Sequence, residues 1–212
     1  VAFDETIRIK DKLYKILKTL ILAPSCDGKV PVRECTVSQR QHRKKIYHVV
    51  RYDNHRNCWV KWYRDPIQAR FEFELIKKVE KFTVHHENIE VRAVKAIDYD
   101  KAFLLLEYFN YEMYLPLRQY LRGGTLCQFT NIERYHIKIA IIKWLNEVKF
   151  AIGQFFYDFS TRNTLVYKEK NGKISIIMID FEKITEGTYM TAQWAGALNE
   201  IFPEGDNAYK RD

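Results

Sequence analysis

The sequence predicts an α+β fold in two lobes, and three observations carry that reading. Short β-type runs crowd residues 30–63, a strongly periodic helix pattern runs from Asn131 to Val148, and two strand-like runs close around Asn171-Gly172. Strands with one helix, then a connector, then a long helix and a hairpin is an α+β order. At 212 residues, 47% apolar and 15% aromatic, the chain suits one domain in two lobes and needs no disulfide support. A disordered tail, a collagen-like repeat and a cysteine-stapled miniprotein are excluded.

The elements follow in order. Between Ile7 and Leu22, Ile9, Leu13, Ile16, Leu17, Leu20 and Ile21 fall near helical spacing with lysines between them. This predicts a basic amphipathic helix in an N-terminal extension, residues 1–29, packed on its own domain or laid on an anionic membrane surface. Ala23-Pro24-Ser25 ends it and Asp27-Gly28 turns. Strands are expected at Ile46 to Val50 and Cys58 to Tyr63, joined by a turn at Tyr52-Asp53-Asn54-His55. Pro66 opens a helix reaching Lys81, its stripe made by Phe71, Leu75, Val79 and Phe82. Val91 to Ala96 and Ala102 to Tyr108 read as strands around a turn at Asp98-Tyr99-Asp100. Residues 30–109 thus form a small β-rich lobe and residues 110–212 a reduced helical lobe, with a cleft expected between them. In the second lobe Ile132, Tyr135, Ile139, Ile142 and Leu145 line the long helix, and strands follow at Thr164 to Tyr167 and Ile174 to Ile179.

Thirty-five Lys and Arg against 27 Asp and Glu give a formal charge of +8 and a pI near 9.2. Such a surplus suits an anionic partner: a nucleotide, a phosphorylated substrate, nucleic acid or an acidic membrane. Cys26, Cys35, Cys58 and Cys127 show no C-x-x-C spacing, and the histidines, including His85-His86 and His136, read as ordinary loop and helix residues. Reduced thiols, no spanning apolar run and no apolar secretory opening place the chain in the cytosol, peripherally at a membrane, or, for a secreted effector, in the cell it enters. No glycine falls between Gly28 and Gly123, so a glycine-rich phosphate cradle is absent from that stretch.

The chemistry concentrates in Asp158-Phe159-Ser160-Thr161-Arg162-Asn163 and in Ile179-Asp180-Phe181-Glu182. Two carboxylates and an amide reach the ends of adjacent backbone segments, a set able to hold Mg²⁺ through oxygen and to orient a hydroxyl nucleophile. These segments resemble the catalytic loop and D-F-G segment of the protein-kinase-like superfamily, which includes aminoglycoside and lipopolysaccharide kinases. The resemblance implies Asp158 as base, and Asn163 and Asp180 as ligands of Mg²⁺ or Mn²⁺. Trp59-Val60-Lys61-Trp62 resembles the third-strand lysine motif, which implies Lys61 on the α- and β-phosphates of ATP. Glu72 is the implied ion-pair partner, with Glu74 as rival. Leu105-Leu106-Glu107-Tyr108-Phe109 resembles the hinge, which implies adenine binding by backbone groups at Glu107 and Phe109. The run Gln41-His42-Arg43-Lys44 with Tyr47, His48, Cys58 and Lys61 is similar to a pattern of the PhoP-network YrbL family.

Three departures bear on activity. Gln39 to Lys45 stands where a glycine-rich loop is expected; Arg43 and Lys44 either hold phosphate by charge or form a solvated basic turn. Tyr157 replaces the arginine that usually precedes the catalytic Asp, which argues against control by activation-loop phosphorylation. Thirty residues follow Glu182, so a small substrate platform is expected. Ser160 and the D-F-E segment resemble lipopolysaccharide-type kinases and favour a sugar or lipopolysaccharide hydroxyl as acceptor. Arg162 resembles the tyrosine-kinase loop and keeps a protein acceptor open. A pseudokinase that binds nucleotide or a partner without phosphotransfer is the alternative, and a nucleic-acid-binding domain is the least favoured class.

Overall fold

The computed structural model describes residues 5–22, 29–31, 44–121, 129–152, 155–157, 159–181, 184–186 and 189–203. The chain divides into two compact units, residues 1–77 with 95–109 and residues 78–94 with 110–212.

The first unit is built on a seven-stranded antiparallel sheet. Its strands are β1 (Thr6–Ile9), β2 (Lys12–Leu22), β3 (Lys29–Pro31), β4 (Lys44–Arg51), β5 (Asn57–Trp62), β8 (Ala96–Asp100) and β9 (Phe103–Glu107). They run in the order β1-β2-β4-β5-β9-β8, with β3 beside β2. The segment Ile7 to Leu22 is therefore a hairpin of the sheet, not an amphipathic helix or a separate extension. The reason lies at Leu17. Ile16 faces Val49 and Lys18 faces His48, leaving Leu17 as the extra residue of a bulge, half-exposed. The bulge breaks strict alternation, and the shifted parity imitates helical spacing. Ile7, Ile9 and Tyr14 instead bury against Val49, Cys58, Val60 and Leu105.

Asp98-Tyr99-Asp100, expected as a turn, lies in β8, and the chain reverses at Lys101, whose φ is 50°. The carboxylates have work there. Asp98 accepts from Lys10 Nζ at 2.6 Å and Asp100 from the Lys10 backbone N–H at 2.5 Å, so the β1–β2 turn meets β8 and the sheet curls toward itself. Burial alone pushes the Asp98 carboxyl up, but Lys10 and the Tyr99 N–H hold it below its ordinary value.

Helix α1 (Pro66–Val79) starts on Asp65, whose carboxylate accepts the Ile67 N–H at 3.0 Å, with Pro66 at the first helical position. Its buried face is Ala69, Glu72, Leu75, Ile76 and Val79, while Phe71 is half-exposed. The expected stripe is thus turned by one residue, because a glutamate occupies a core position.

The second unit holds a five-stranded sheet in the order β10-β12-β13-β7-β6, from β6 (Thr83–His86), β7 (Ile89–Ala93), β10 (Leu115–Pro116), β12 (Thr164–Lys168) and β13 (Ile174–Met178). β7 and β13 are parallel and the other pairs antiparallel. His85 and His86 lie in a strand rather than a loop. β7 ends at Ala93, three residues short of the expected run, where the chain returns to the first unit. A second ribbon pairs β11 (Phe155–Tyr157) with β14 (Ile184–Glu186). The helices are α2 (Leu117–Leu121), α3 (Asn131–Ile152) and α4 (Tyr189–Ile201).

Helix α3 opens with a reciprocal cap: the Glu133 N–H donates to Thr130 Oγ1 at 3.1 Å and the Thr130 N–H to Glu133 Oε2 at 2.9 Å. It buries Ile137, Ala140, Ile141, Trp144, Leu145 and Val148, a cleaner heptad-like stripe than the expected one through Ile132, which is 59% exposed. Arg134 and Lys138 reach the end of α4. Arg134 Nε donates to the Ile201 carbonyl at 2.7 Å and Lys138 Nζ to the Phe202 carbonyl at 2.9 Å, placing cations on a helix C-terminus.

Candidate active site

In the first unit the sheet places Lys61 on β5, on the same face as Trp59, by the two-residue period of a strand. Lys61 Nζ lies 2.9 Å from Glu72 Oε2 and 3.2 Å from Oε1, with the side chains 3% and 1% exposed. The ammonium also sits 5.2 Å from the Tyr63 ring centroid. Glu74 faces away and pairs with Arg70 at 2.8 Å on the surface.

The connector is tied down on both sides. The Glu107 N–H donates to the Lys95 carbonyl at 3.0 Å, and its carboxylate accepts the Lys95 N–H at 2.9 Å. Tyr108 stacks on His48 at 4.6 Å and on Trp59 at 5.8 Å. The Phe109 carbonyl accepts Trp59 Nε1–H at 3.0 Å. Lys44 begins β4; Arg43 lies outside the described residues.

In the second unit Asp158 lies outside the described residues, but its neighbours Tyr157 and Phe159 are fully buried. Tyr157 stacks its ring on Phe181 at 4.5 Å, its hydroxyl donates to the Ile179 carbonyl, and its own carbonyl accepts Trp194 Nε1–H at 2.8 Å. It thereby joins the backbone just before Asp158 to the Asp180 segment. Asn163 stands opposite Ile179, whose N–H donates to the Asn163 carbonyl at 3.0 Å. That leaves Asp180 one residue further on. Asp180 has φ 68°; Lys10, His55, Glu87 and Lys101, the other described non-glycine residues with positive φ, all sit in hairpin turns. Among the described residues Asp180 thus holds a left-handed backbone outside any hairpin turn, a conformation uncommon for a residue with a Cβ.

The loop is anchored by residues the sequence does not advertise. Thr161 Oγ1 donates to Glu200 Oε2 at 2.8 Å, Arg118 Nε lies 3.6 Å from Glu200 Oε1, and the Arg118 N–H donates to the Thr161 carbonyl at 3.1 Å. A separate group brings His86, Glu87 and His136 within 4.8 Å. Lys143 Nζ lies 3.1 Å from His86 Nδ1, and His86 Nε2 lies 3.0 Å from His136 Nδ1. An ammonium can only donate, so the assigned order is Lys143 to His86 to His136. Burial, then Lys143 and His136, push His86 below its ordinary value.

No protein-family model and no curated protein matches this chain. Among solved structures, the Cydia pomonella granulovirus kinase PK-1 is similar at 13% identity and a TM-score of 0.51, over 83% of this chain and 55% of the viral one. The chain thus spans about half the length of that kinase. The likeness shows the fold: α+β and protein-kinase-like.

Proposed function

We propose that the chain is a small atypical kinase that transfers the ATP γ-phosphate to a hydroxyl. The observation that carries this reading is the buried Lys61–Glu72 pair. Apolar residues of similar size serve stability at least as well as a buried ion pair, so its presence points to a use for the held ammonium. That use is to position the α- and β-phosphates, with the basic run at Arg43 and Lys44 adding charge. The Asn163 amide oxygen and the Asp180 carboxylate are oxygen donors on neighbouring segments, a set that suits Mg²⁺ or Mn²⁺. The bound ion supplies neutralisation of phosphate charge. Asp158 accepts the hydroxyl proton, and Tyr157 with the Thr161–Glu200 bond keeps the loop around it in register. Most of the acceleration comes from positioning and charge stabilisation.

The proposed acceptor is a sugar or lipopolysaccharide hydroxyl, supported by the D-F-S-T-R-N and D-F-E resemblance; the basic composition suits an anionic membrane surface and a peripheral, cytoplasmic site. No helix among the described residues is long and apolar enough to cross a membrane. The second reading is a pseudokinase, favoured by the Trp59 bond to the Phe109 carbonyl. The test is incubation with γ-labelled ATP and Mg²⁺, offering lipopolysaccharide and protein acceptors. Transfer to glycolipid that vanishes in Asp158→Ala and Asp180→Ala is expected. Label in protein instead sinks the sugar acceptor, and nucleotide binding without any transfer selects the pseudokinase.

A further inference from the structure

We infer that Trp59 occupies the place a nucleotide base would take, so that phosphates, not the base, dominate nucleotide recognition. In the β5–β9 register Cys58 faces Glu107, Trp59 faces Leu106 and Lys61 faces Leu104. Trp59 is therefore on the connector side of Lys61, on the same face and about 6.6 Å along the strand. A purine whose phosphates extend to Lys61 and whose edge meets the Phe109 backbone has to lie along this line. The indole already lies there. It is a bicyclic aromatic of purine size, 1% exposed, and its single N–H donates to the Phe109 carbonyl at 3.0 Å. Tyr108 stacks on it with an interplanar angle of 18°. His48 stacks on Tyr108 in turn, and its Nε2 is fixed by Asn57 Oδ1 at 3.0 Å. Swinging the indole out breaks a buried hydrogen bond, the stack on Tyr108 and the tilted ring contacts with His48 and Phe109 together.

This inference rests on the nucleotide reading in taking Lys61 as the phosphate anchor and the Phe109 backbone as the place the base edge would meet. A base kept from that wall is not read by hydrogen bonds there. ATP, GTP and inorganic tripolyphosphate, each with Mg²⁺, then bind the wild-type protein within about threefold of one another. Trp59→Phe keeps a ring but frees the carbonyl, and Trp59→Ala opens a cavity with that carbonyl at its end.

The experiment is calorimetric titration of all three ligands into the three proteins, together with thermal unfolding in free adenine. ATP is expected to gain at least about tenfold over tripolyphosphate in Trp59→Ala, and a smaller factor in Trp59→Phe. Adenine is expected to stabilise Trp59→Ala and leave the wild type unmoved. A wild type that prefers ATP tenfold over tripolyphosphate, and loses the preference in Trp59→Phe, overturns the inference; Trp59 is then a platform for the base. Should Trp59→Ala not fold, an unchanged ATP-to-tripolyphosphate ratio in Trp59→Phe overturns it equally. Adenine binding to Trp59→Ala while no phosphate ligand binds any protein upholds the base position of Trp59 but overturns phosphate-dominated recognition and refutes Lys61 as anchor. Folded Trp59→Ala that ignores adenine refutes the base position whatever the phosphates do.

Discussion

Removing one partner of the Lys61–Glu72 pair should be far worse than removing both. Both side chains are buried, and each carboxylate oxygen lies within 3.2 Å of the ammonium. Glu72→Ala leaves a buried cation uncompensated, at a cost of about 3–5 kcal/mol. For a chain of this length that corresponds to roughly 6–20 °C in Tm. The double change Lys61→Met with Glu72→Leu keeps the volume and removes both charges, and is expected within about 1 kcal/mol of wild type or above it. Urea denaturation of wild type, Lys61→Met, Glu72→Leu and the double variant gives the coupling energy directly. Phosphate-ligand binding should be lost in all three variants, which separates the pair's use from its effect on stability. A Glu72→Ala protein within about 0.5 kcal/mol of wild type, or a double variant as unstable as the single, refutes this reasoning.

Other consequences are as direct. Thr130→Ala should cost about 1 kcal/mol through loss of the α3 cap, read as a lower urea midpoint with unchanged slope. Lys168, 2.6 Å from Glu133, and the Thr130 N–H hold that glutamate below its ordinary value against the upward push of burial, so the cap should weaken in strong acid. His86 is neutral-favouring in the fold, its pKa lowered from 6.5 by burial, Lys143 and His136 and only opposed by Glu87. A lowered pKa gives stability that is complete above 6.5 and is lost as pH falls below it, because the unfolded chain takes the proton first. Lys143→Met should therefore make the stability profile less steep below about pH 6.5, burial keeping the rest of the effect; a profile as steep as wild type shows that Lys143 does not depress His86. Tyr157→Phe should cost about 1 kcal/mol by leaving the Ile179 carbonyl unbonded, whereas Tyr157→Arg, which restores the usual kinase residue, should cost more because it buries a charge beside Phe181.

The strands around Lys61, the helix after Pro66 and the hairpin around Gly172 were readable because their local patterns are unbroken. The β1–β2 hairpin was not, since the turn at Lys10 separates Ile7 and Ile9 from Tyr14, and the bulge at Leu17 then shifts the parity of β2 beyond Ile16. The stripe of α1 was misplaced because hydrophobicity assigns Glu72 to solvent, and only its partner on β5 makes a buried glutamate tolerable. In α3 the choice between Ile139 and Ile141 rests on what packs against the helix, which spacing alone does not state. At the candidate site, the ion pair of Lys61 with Glu72 was legible from motif order. Trp59, Arg118, Trp194 and Glu200 were not, because their partners lie dozens of residues away. Trp59 was in view two residues before Lys61, but its meaning comes from the Phe109 carbonyl.

The proposed metal-dependent phosphate-ligand site includes Asp180, and thermal unfolding with Mg²⁺ and ATP tests it most directly. Asp180→Asn is the companion protein, since Asn tolerates the left-handed backbone at φ 68° and removes only the charge. Ligand at about 100-fold over Kd stabilises by about 2.7 kcal/mol, or roughly 5–11 °C here. The expected result is a shift of that size in the wild type, dependent on the metal and absent from Asp180→Asn. No shift in the wild type with either ATP or tripolyphosphate, or an equal shift in both proteins, contradicts the account.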